Sequence, residues 1–480
     1  MTAQTILPAN SAASGGFNVT NSAMFDRAST TKMAKTFGTV STAAQRRKLT
    51  LSMWVKPSNV SDNQWLFCHD TGNSSSDFTL KFEGQALRFY DYPGADQMKK
   101  KTSRLFRDVS AWYHVMLIID TTLGTAADRV QIYVNGVRET SFSESTNPDQ
   151  NDSFFAFSDA DRPTTIGARG SDNSDYLSGY LAEYHCIVGT AKAHTDFGEF
   201  DEDTGIWKPI AYTGGDYSSN GFYLDFADSG DLGDDESGNE NDFTETNFAA
   251  THQTTDTCTN NFATLNLLVP SQGGHTPGSA TYTEGATLFT TANASSSYSR
   301  AYSTFLLSAG KWYTEIKYVN SGTIYGLVGI TGSNPTAVTA YLGVYAYDYG
   351  WYGNGGFSSG DGNFYNNNGI VRELGSGFDN NDIVGMAIDL DNNTIQYYRA
   401  GSAVGSANAI AAPSATDFGG YVVCASEWSN SSNAVFNFNF GNPPYANSSS
   451  VTDGEGFGNF EYAPPSGFLA ICSKNLAEYG

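Results

Sequence analysis

In the stretch Leu49-Thr-Leu-Ser-Met-Trp-Val-Lys56, the apolar residues Leu49, Leu51, Met53 and Val55 alternate with Thr50, Ser52 and Lys56. Side chains with a period of two point to opposite sides of an extended strand, so one face is buried. The signature returns at 78–82 and 86–90, around the turn signal Glu83-Gly84. The near-continuous apolar run 112–120 fits a central strand, and 130–139 is a hairpin with Asn135-Gly136 at its tip. Asn-Gly suits a two-residue hairpin turn because both of its residues take positive φ. Residues 164–167 and 176–185 continue the series, and only 195–201 hints at a helical turn. Strands at this spacing, with no helical period between them, predict a sandwich of two antiparallel sheets.

A second series begins at 286–289. Trp312, Thr314, Ile316 and Tyr318 alternate with Lys311, Glu315 and Lys317, and 326–330 follows as a further strand. Residues 382–401 read as a hairpin turning at Asp391-Asn-Asn393, and Ala434, Phe436, Phe438 and Phe440 share one face of the last strand. The chain has 50 Gly, 28 Tyr and 31 Phe with only 16% charged residues, a supply of strand and turn formers. The fold class is therefore all-β: two antiparallel β-sandwiches joined by a loop-rich bridge. Residues 1–35 are small and polar, with few periodic apolar positions, and are expected to form an extended attachment segment.

The net charge of −24 is unevenly spread. Residues 1–210 carry 20 Lys+Arg against 24 Asp+Glu, while 211–480 carry 6 against 26, which is −4 and −20. So acidic a second half repels nucleic acid and anionic bilayers. There is no run of eighteen apolar residues, and the start Met1-Thr-Ala-Gln-Thr-Ile-Leu-Pro has neither the basic end nor the apolar core of a Sec signal. Five scattered cysteines form no CxxC pair, and Cys68 and Cys186, in apolar strand contexts, are expected to be buried free thiols. Synthesis inside a cell, without membrane insertion, is the expectation.

The order RRKLTLSMWVKPS, FTLKFEGQALRFY, SAWYHVMLIIDTT, DRVQIYVNGVRE, TTIGARG, YLSGYLAEYHCIVGTA resembles the laminin-G-like, concanavalin-A-like jelly roll over about residues 36–200. GKWYTE, VGI, DIVGMAIDLDNNTIQYYRAG and a closing NFG resemble a SPRY-type sandwich over about residues 282–442. The wording at 105–114 and 196–201, the phrase GFYLDFADSGDLGDDESGNENDF and CTNNFATLN resemble a group of bacteriophage virion proteins. The resemblance implies a jelly roll at 36–212, an acidic loop-rich bridge at 213–275 whose first part packs on it, and a SPRY-like sandwich with a C-terminal tail at 276–480. The boundary is expected near 269–275.

Catalysis finds little support in the residues. Retaining glucanases of the jelly-roll family carry Glu-x-Asp-x-x-Glu on one strand, whereas Glu199-Phe-Asp-Glu-Asp-Thr204 has Thr204 in place of the second acid. The six histidines form no HxxxH or HxH, and His114 and His185 read as hydrogen-bonded structural residues. Gly356-Phe-Ser-Ser-Gly360 spells GxSxG but no helix pattern follows it, and neither a P-loop nor a Rossmann fingerprint occurs. The chain is expected not to be an enzyme.

Binding has more candidates. Asp225, Asp228, Asp231, Asp234, Asp235, Asn239 and Asp242 supply the dense hard oxygens that calcium needs, without EF-hand spacing. The alternative is a loop and strand of the first sandwich with solvated carboxylates. Asp70, Asn73 and Asp77 form a second, sparser set. Tyr345, Tyr347 and Tyr349, alternating on one face, with Trp351, Tyr352 and Asn354 in a Gly-rich loop, form an aromatic patch for stacking on sugar C–H faces. The alternative is core and protein contact. Lys99, Lys100 and Lys101 with Arg104 and Arg107 read as a solvated strand end, an anion site or a dock for the acidic half of a neighbouring subunit.

The resemblance implies a non-enzymatic virion protein, on a tail fibre or appendage that binds a host-surface receptor or glycan. The alternatives are a capsid decoration or tail structural component, and a polysaccharide depolymerase. Other virion proteins and sister copies, a trimer being usual for fibres, are the implied partners.

Overall fold

Lys48–Pro57 and Gly179–Val188, the two ten-residue strands of the first unit, pair antiparallel and carry one of its two eight-stranded sheets. The computed structural model describes residues 16–480 except 41, 71–76, 93–96, 159–161, 171–172, 270–279, 292–296, 321, 323–324, 335–339, 355–361 and 430–432. In that sheet the order is Val137–Arg138, Val130–Val134, Tyr113–Asp120, Lys48–Pro57, Gly179–Val188, Ser22–Phe25 and Gln253–Thr254, with Phe222–Leu224 also pairing on Gly179–Val188. The facing sheet runs Phe142–Thr146, Met98–Leu105, Ala86–Tyr92, Asp77–Glu83, Gln64–Asp70, Pro163–Ile166, Lys32–Thr36 and Thr244–Thr246. Leu49, Leu51, Met53 and Val55 meet Phe67, Phe78, Leu80, Phe82 and Phe89 in the core between them. The period-two reading of these strands stands, and all five cysteines are free and buried.

The expected hairpin at 130–139 turns on Asn135 (φ 48°) and Gly136 (φ 73°). Gly136 serves a second purpose: a Cβ there would sit 2.2 Å from the Trp207 ring. Trp207, from the short strand Trp207–Pro209, packs on the outside of the first sheet with Trp54, Trp112 and Tyr180. A second apolar layer thus covers that sheet from outside.

Residues 16–35 depart from the expected attachment segment. Ser22–Phe25 and Lys32–Thr36 are strands of opposite sheets, and Ala23, Phe25 and Met33 are fully buried in the core. Their polar neighbours are held from within: Ser22 Oγ bonds Thr254 Oγ1 at 2.7 Å and the Asp256 carbonyl at 2.6 Å. Residues 1–15 lie outside the described residues.

The compact units divide between Asn260 and Asn261, ahead of the 269–275 stretch. Most of the expected bridge belongs to the first unit, through the strands Phe222–Leu224, Thr244–Thr246 and Gln253–Thr254. Its closing segment is fixed by Asp256, whose Oδ2 lies 2.7 Å from Lys56 Nζ with both side chains essentially inaccessible. Trp112 Nε1 donates to Asp256 Oδ1 at 3.0 Å.

The second unit is also two sheets. One runs Thr281–Thr283, Leu288–Thr290, Val435–Asn439, Lys311–Val319, Ile383–Asp389, Thr394–Arg399 and Ser402–Ala409, with Leu469–Ala470 parallel to Lys311–Val319. The other runs Ser297–Tyr302, Val422–Ser429, Gly326–Thr331, Asp348–Tyr352, Asn363–Asn366 and Gly369–Glu373. Phe436, Phe438 and Phe440 are all core residues, as the alternation required. The only α-helix among the described residues is Ser473–Tyr479.

Removing one member of a buried ion pair strands the other, at a cost of about 3–5 kcal/mol. Asp256→Ala should destabilise the chain by that order in urea unfolding, and adding Lys56→Met should recover most of the loss. A double variant as unstable as the sum of both single ones would show that the pair is not coupled.

Candidate functional site

The acidic run is built into the first sandwich. Phe226, Leu232 and Phe243 anchor it in the core, and Thr244–Thr246 pairs with Lys32–Thr36. Asp235 is buried and accepts the backbone N–H groups of Tyr223, Ser237 and Asn241 at 2.8, 2.9 and 2.9 Å. Asp242 Oδ1 accepts the Asp235 N–H, while Asp225 and Asp228 close local turns on Ala227 and Gly230. Asp231 and Asp234 follow in the same turn-rich stretch, and Asn239 Nδ2 donates to the Gly221 carbonyl. Among the described residues no three His, Cys, Asp or Glu side chains gather as a metal ion would need. Burial, then its acidic neighbours Glu183 and Asp234, push the Asp225 carboxyl above its ordinary range. Asp70 and Asp77 pair directly across two strands, with Arg169 3.8 Å from Asp70; Asn73 lies outside the described residues.

Two arrangements resemble catalytic ones and are built differently. Ser52 Oγ lies 2.9 Å from His114 Nε2, and Trp207 Nε1 donates to His114 Nδ1 at 3.0 Å. Because an indole N–H only donates, Nδ1 accepts, so Nε2 carries the proton and donates to Ser52. That tautomer cannot take a proton from the hydroxyl, and burial pushes the His114 pKa down to about 3. Glu199 and Asp201 lie on a hairpin, 3.4 and 3.2 Å from Lys208 Nζ, with Asp201 capping its own turn at Thr204. The Gly356–Gly360 motif falls outside the described residues.

The aromatic patch is divided between two faces of one strand. Trp351 is fully buried, edge-on to Phe378 at 5.3 Å and tilted on Tyr397 at 5.4 Å. Tyr349 shares that inner face, its hydroxyl accepting the Ala411 N–H at 2.8 Å, and Tyr352 on the outer face is 7% exposed. Asp348–Tyr352 is a strand rather than a Gly-rich loop, so its rings are spent on packing. Asn354 ties loops together, accepting the Gly377 N–H and donating to Asp379. Tyr345 and Tyr347 are half-buried in the turns that precede the strand.

The half-buried rings collect on the outer face of the six-stranded sheet. Tyr341 lies 5.3 Å from Tyr298 and 6.0 Å from Tyr365, and Tyr365 lies 6.2 Å from Tyr352. Asn366 and Asn368 border this row, with Tyr341 Oη donating to Asn368 Oδ1 at 3.3 Å. Beneath it, Arg300 and Asp348 form an ion pair of 3.1 Å with no accessible side-chain surface. Asp348 Oδ2 also accepts the N–H groups of Gly343 and Tyr345, and Ser426 Oγ accepts that of Leu342. The loop that carries Tyr341 and Tyr345 is therefore held rigid before any ligand arrives. Tyr298, Tyr341 and Tyr365 come from three separate stretches; only the alternation of Tyr365 with core Phe364 marks an outer face in the sequence.

Residues 30–187 match the Laminin_G_3 family model, described as the concanavalin A-like lectin/glucanases superfamily. No curated protein matches the chain in sequence. Among solved structures, the chain is similar to the SPRY domain of human HERC1, at 15% identity over 32% of this chain and 87% of that one, TM-score 0.25. It is also similar to a Bacteroides ovatus protein provisionally named as carbohydrate binding, at 15% identity over 48% of this chain and 59% of that one, TM-score 0.34. A heptameric SAP-like pentraxin from Limulus polyphemus is similar at 13% identity over 37% of this chain and 80% of that one, TM-score 0.26.

Since Asp225, Asp228, Asp235 and Asp242 accept backbone N–H groups, a chelator should leave the thermal midpoint unchanged; a midpoint that rises with calcium would show a site there. Trp351→Ala should cost about 3–5 kcal/mol of stability as a core deletion, read in urea. His114 stays neutral in the fold but binds a proton once unfolded, below its ordinary pKa near 6.5. The unfolded state thus binds the extra proton, and stability should fall as pH drops from about 6.5 towards 3. His114→Gln should flatten that part of the profile, and an unchanged slope would place the titration elsewhere.

Proposed function

We propose that this chain is a non-catalytic recognition protein of a bacteriophage particle, carried on a tail fibre or similar appendage, whose second sandwich meets a host-surface glycan. The observation that carries the reading is the row of half-buried tyrosines, Tyr298 and Tyr365 on two strands and Tyr341 on the loop between them that the buried Arg300–Asp348 pair fixes. Phenol rings present flat apolar faces to sugar C–H groups, while their hydroxyls and the amides of Asn366 and Asn368 can read sugar hydroxyls. The lectin-type family match of the first sandwich supports binding in the same sense. Each copy would bind weakly, and display of several copies on one particle would multiply the affinity. Other virion proteins and sister chains are the partners that hold it there.

A glycan microarray probed with the full chain tests this. Wild type should retain a restricted set of glycans and release no reducing sugar from them. Tyr341→Ala and Tyr365→Ala should each weaken retention about 3- to 10-fold, the worth of one aromatic contact, with unchanged melting. No retained glycan, or retention indifferent to both changes, would overturn the reading.

A further inference from the structure

The charges around the tyrosine row of the second sandwich discriminate among glycans. Residues 261–480 carry 6 Lys+Arg against 15 Asp+Glu, a balance of −9. All six cations are committed away from the row. Arg300 lies beneath it, but with no accessible side-chain surface and with Asp348 at 3.1 Å answering its charge. Lys311, Lys317 and Arg399 are carried by the other sheet. There Lys311 pairs with Asp389 at 3.0 Å, Arg399 with Asp382 at 2.6 Å, and Lys317 lies 5.4 Å from the Tyr445 ring centroid. Lys474, on the C-terminal helix, lies 5.5 Å from the Phe457 ring centroid. Arg372 is on the edge strand of the tyrosine sheet, but register sets it opposite core Phe364. Its guanidinium donates to the Ser406 carbonyl of the facing sheet at 3.2 Å.

The polar groups beside the rings point the same way. Asn366 Nδ2 donates to the Ala346 and Asp348 carbonyls at 2.9 and 2.8 Å, so its Oδ1 is what it offers a ligand. Tyr341 Oη gives its proton to Asn368 Oδ1 and offers lone pairs. Acceptors suit hydroxyl and acetamido groups, which can donate, and oppose an ionised carboxylate or sulfate, which only accepts. Such an anion would also shed water without meeting a counter-charge, in a field of surplus negative charge.

Ring orientation limits the length of the ligand. Tyr298 to Tyr341 and Tyr341 to Tyr365 are steps of 5.3 and 6.0 Å, with the rings turned by 47° and 85°. An extended polysaccharide stacks on rings that share a plane, whereas rings turned this far meet one sugar from two directions. We propose, resting on the glycan reading of this face, that it takes the uncharged end of a glycan, one or two sugar rings, and rejects sugars that carry carboxylate, sulfate or phosphate.

A microarray of disaccharides ending in glucose, galactose, mannose and their N-acetylamino forms, beside the matching uronic acids and uronic methyl esters, tests this with the full chain. The ends retained should be uncharged, and the matching uronic acid should be held about tenfold or more weaker. Its methyl ester should recover most of the loss, because the ester removes the charge. Added salt should raise retention of the uronic acid and leave that of the hexose unchanged, since it screens only the repulsion. A pentasaccharide with a retained end should be held no tighter than the disaccharide. A uronic acid held as tightly as its hexose, or affinity that climbs with chain length, would overturn the proposal. Retention of no end at all, or retention indifferent to Tyr341→Ala, would instead overturn the glycan reading on which it rests.

Discussion

The ion pair between Lys56 and Asp256 decides how the first sandwich is finished. Lys56 is a strand residue whose side chain lies on the outer side of its sheet, where an uncovered lysine would reach water. Instead the segment around Asp256 closes over it, with Trp112 donating to the same carboxylate. Such a pair gains little over a well-packed apolar substitute, but one half alone is costly, so it admits one placement of the segment. The second unit uses the same device. Buried Glu315 accepts the N–H groups of Glu461 and Tyr462, and Asp453 holds Ala470 and Asn475. Charged groups specify where return segments lie, and apolar layers supply the area beneath them.

This covering has a functional consequence. A sheet with only one buried face leaves half of its aromatic residues for ligands, whereas a sheet layered on both faces uses most of them in packing. Trp54, Trp112 and Trp207 fill the outer layer of the first unit, and Tyr313 and Phe460 lie in an outer layer of the second. Surfaces available for recognition are then those where cover is partial. The tyrosine row over Arg300–Asp348 is one.

Much of the fold was legible because period-two alternation needs only neighbours in sequence. Leu49 to Val55, the Asn135-Gly136 tip and the Phe436 to Phe440 face all lie where the pattern puts them. Ser22–Phe25 was not legible, since its polar residue Ser22 is satisfied by Thr254 and Asp256, more than two hundred positions away. The aromatic patch was half legible for a related reason. Alternation separates Trp351 from Tyr352 but does not say which face meets the opposite sheet.

Amide hydrogen exchange of the full chain, with and without a glycan that it retains, bears most directly on the claim that recognition occurs where cover is partial. Added protection should concentrate at 341–348 and 365–368, around Tyr341 and Tyr365, with the acidic 225–242 segment unchanged. Protection confined to 225–242, or spread evenly through both sandwiches, would contradict the account.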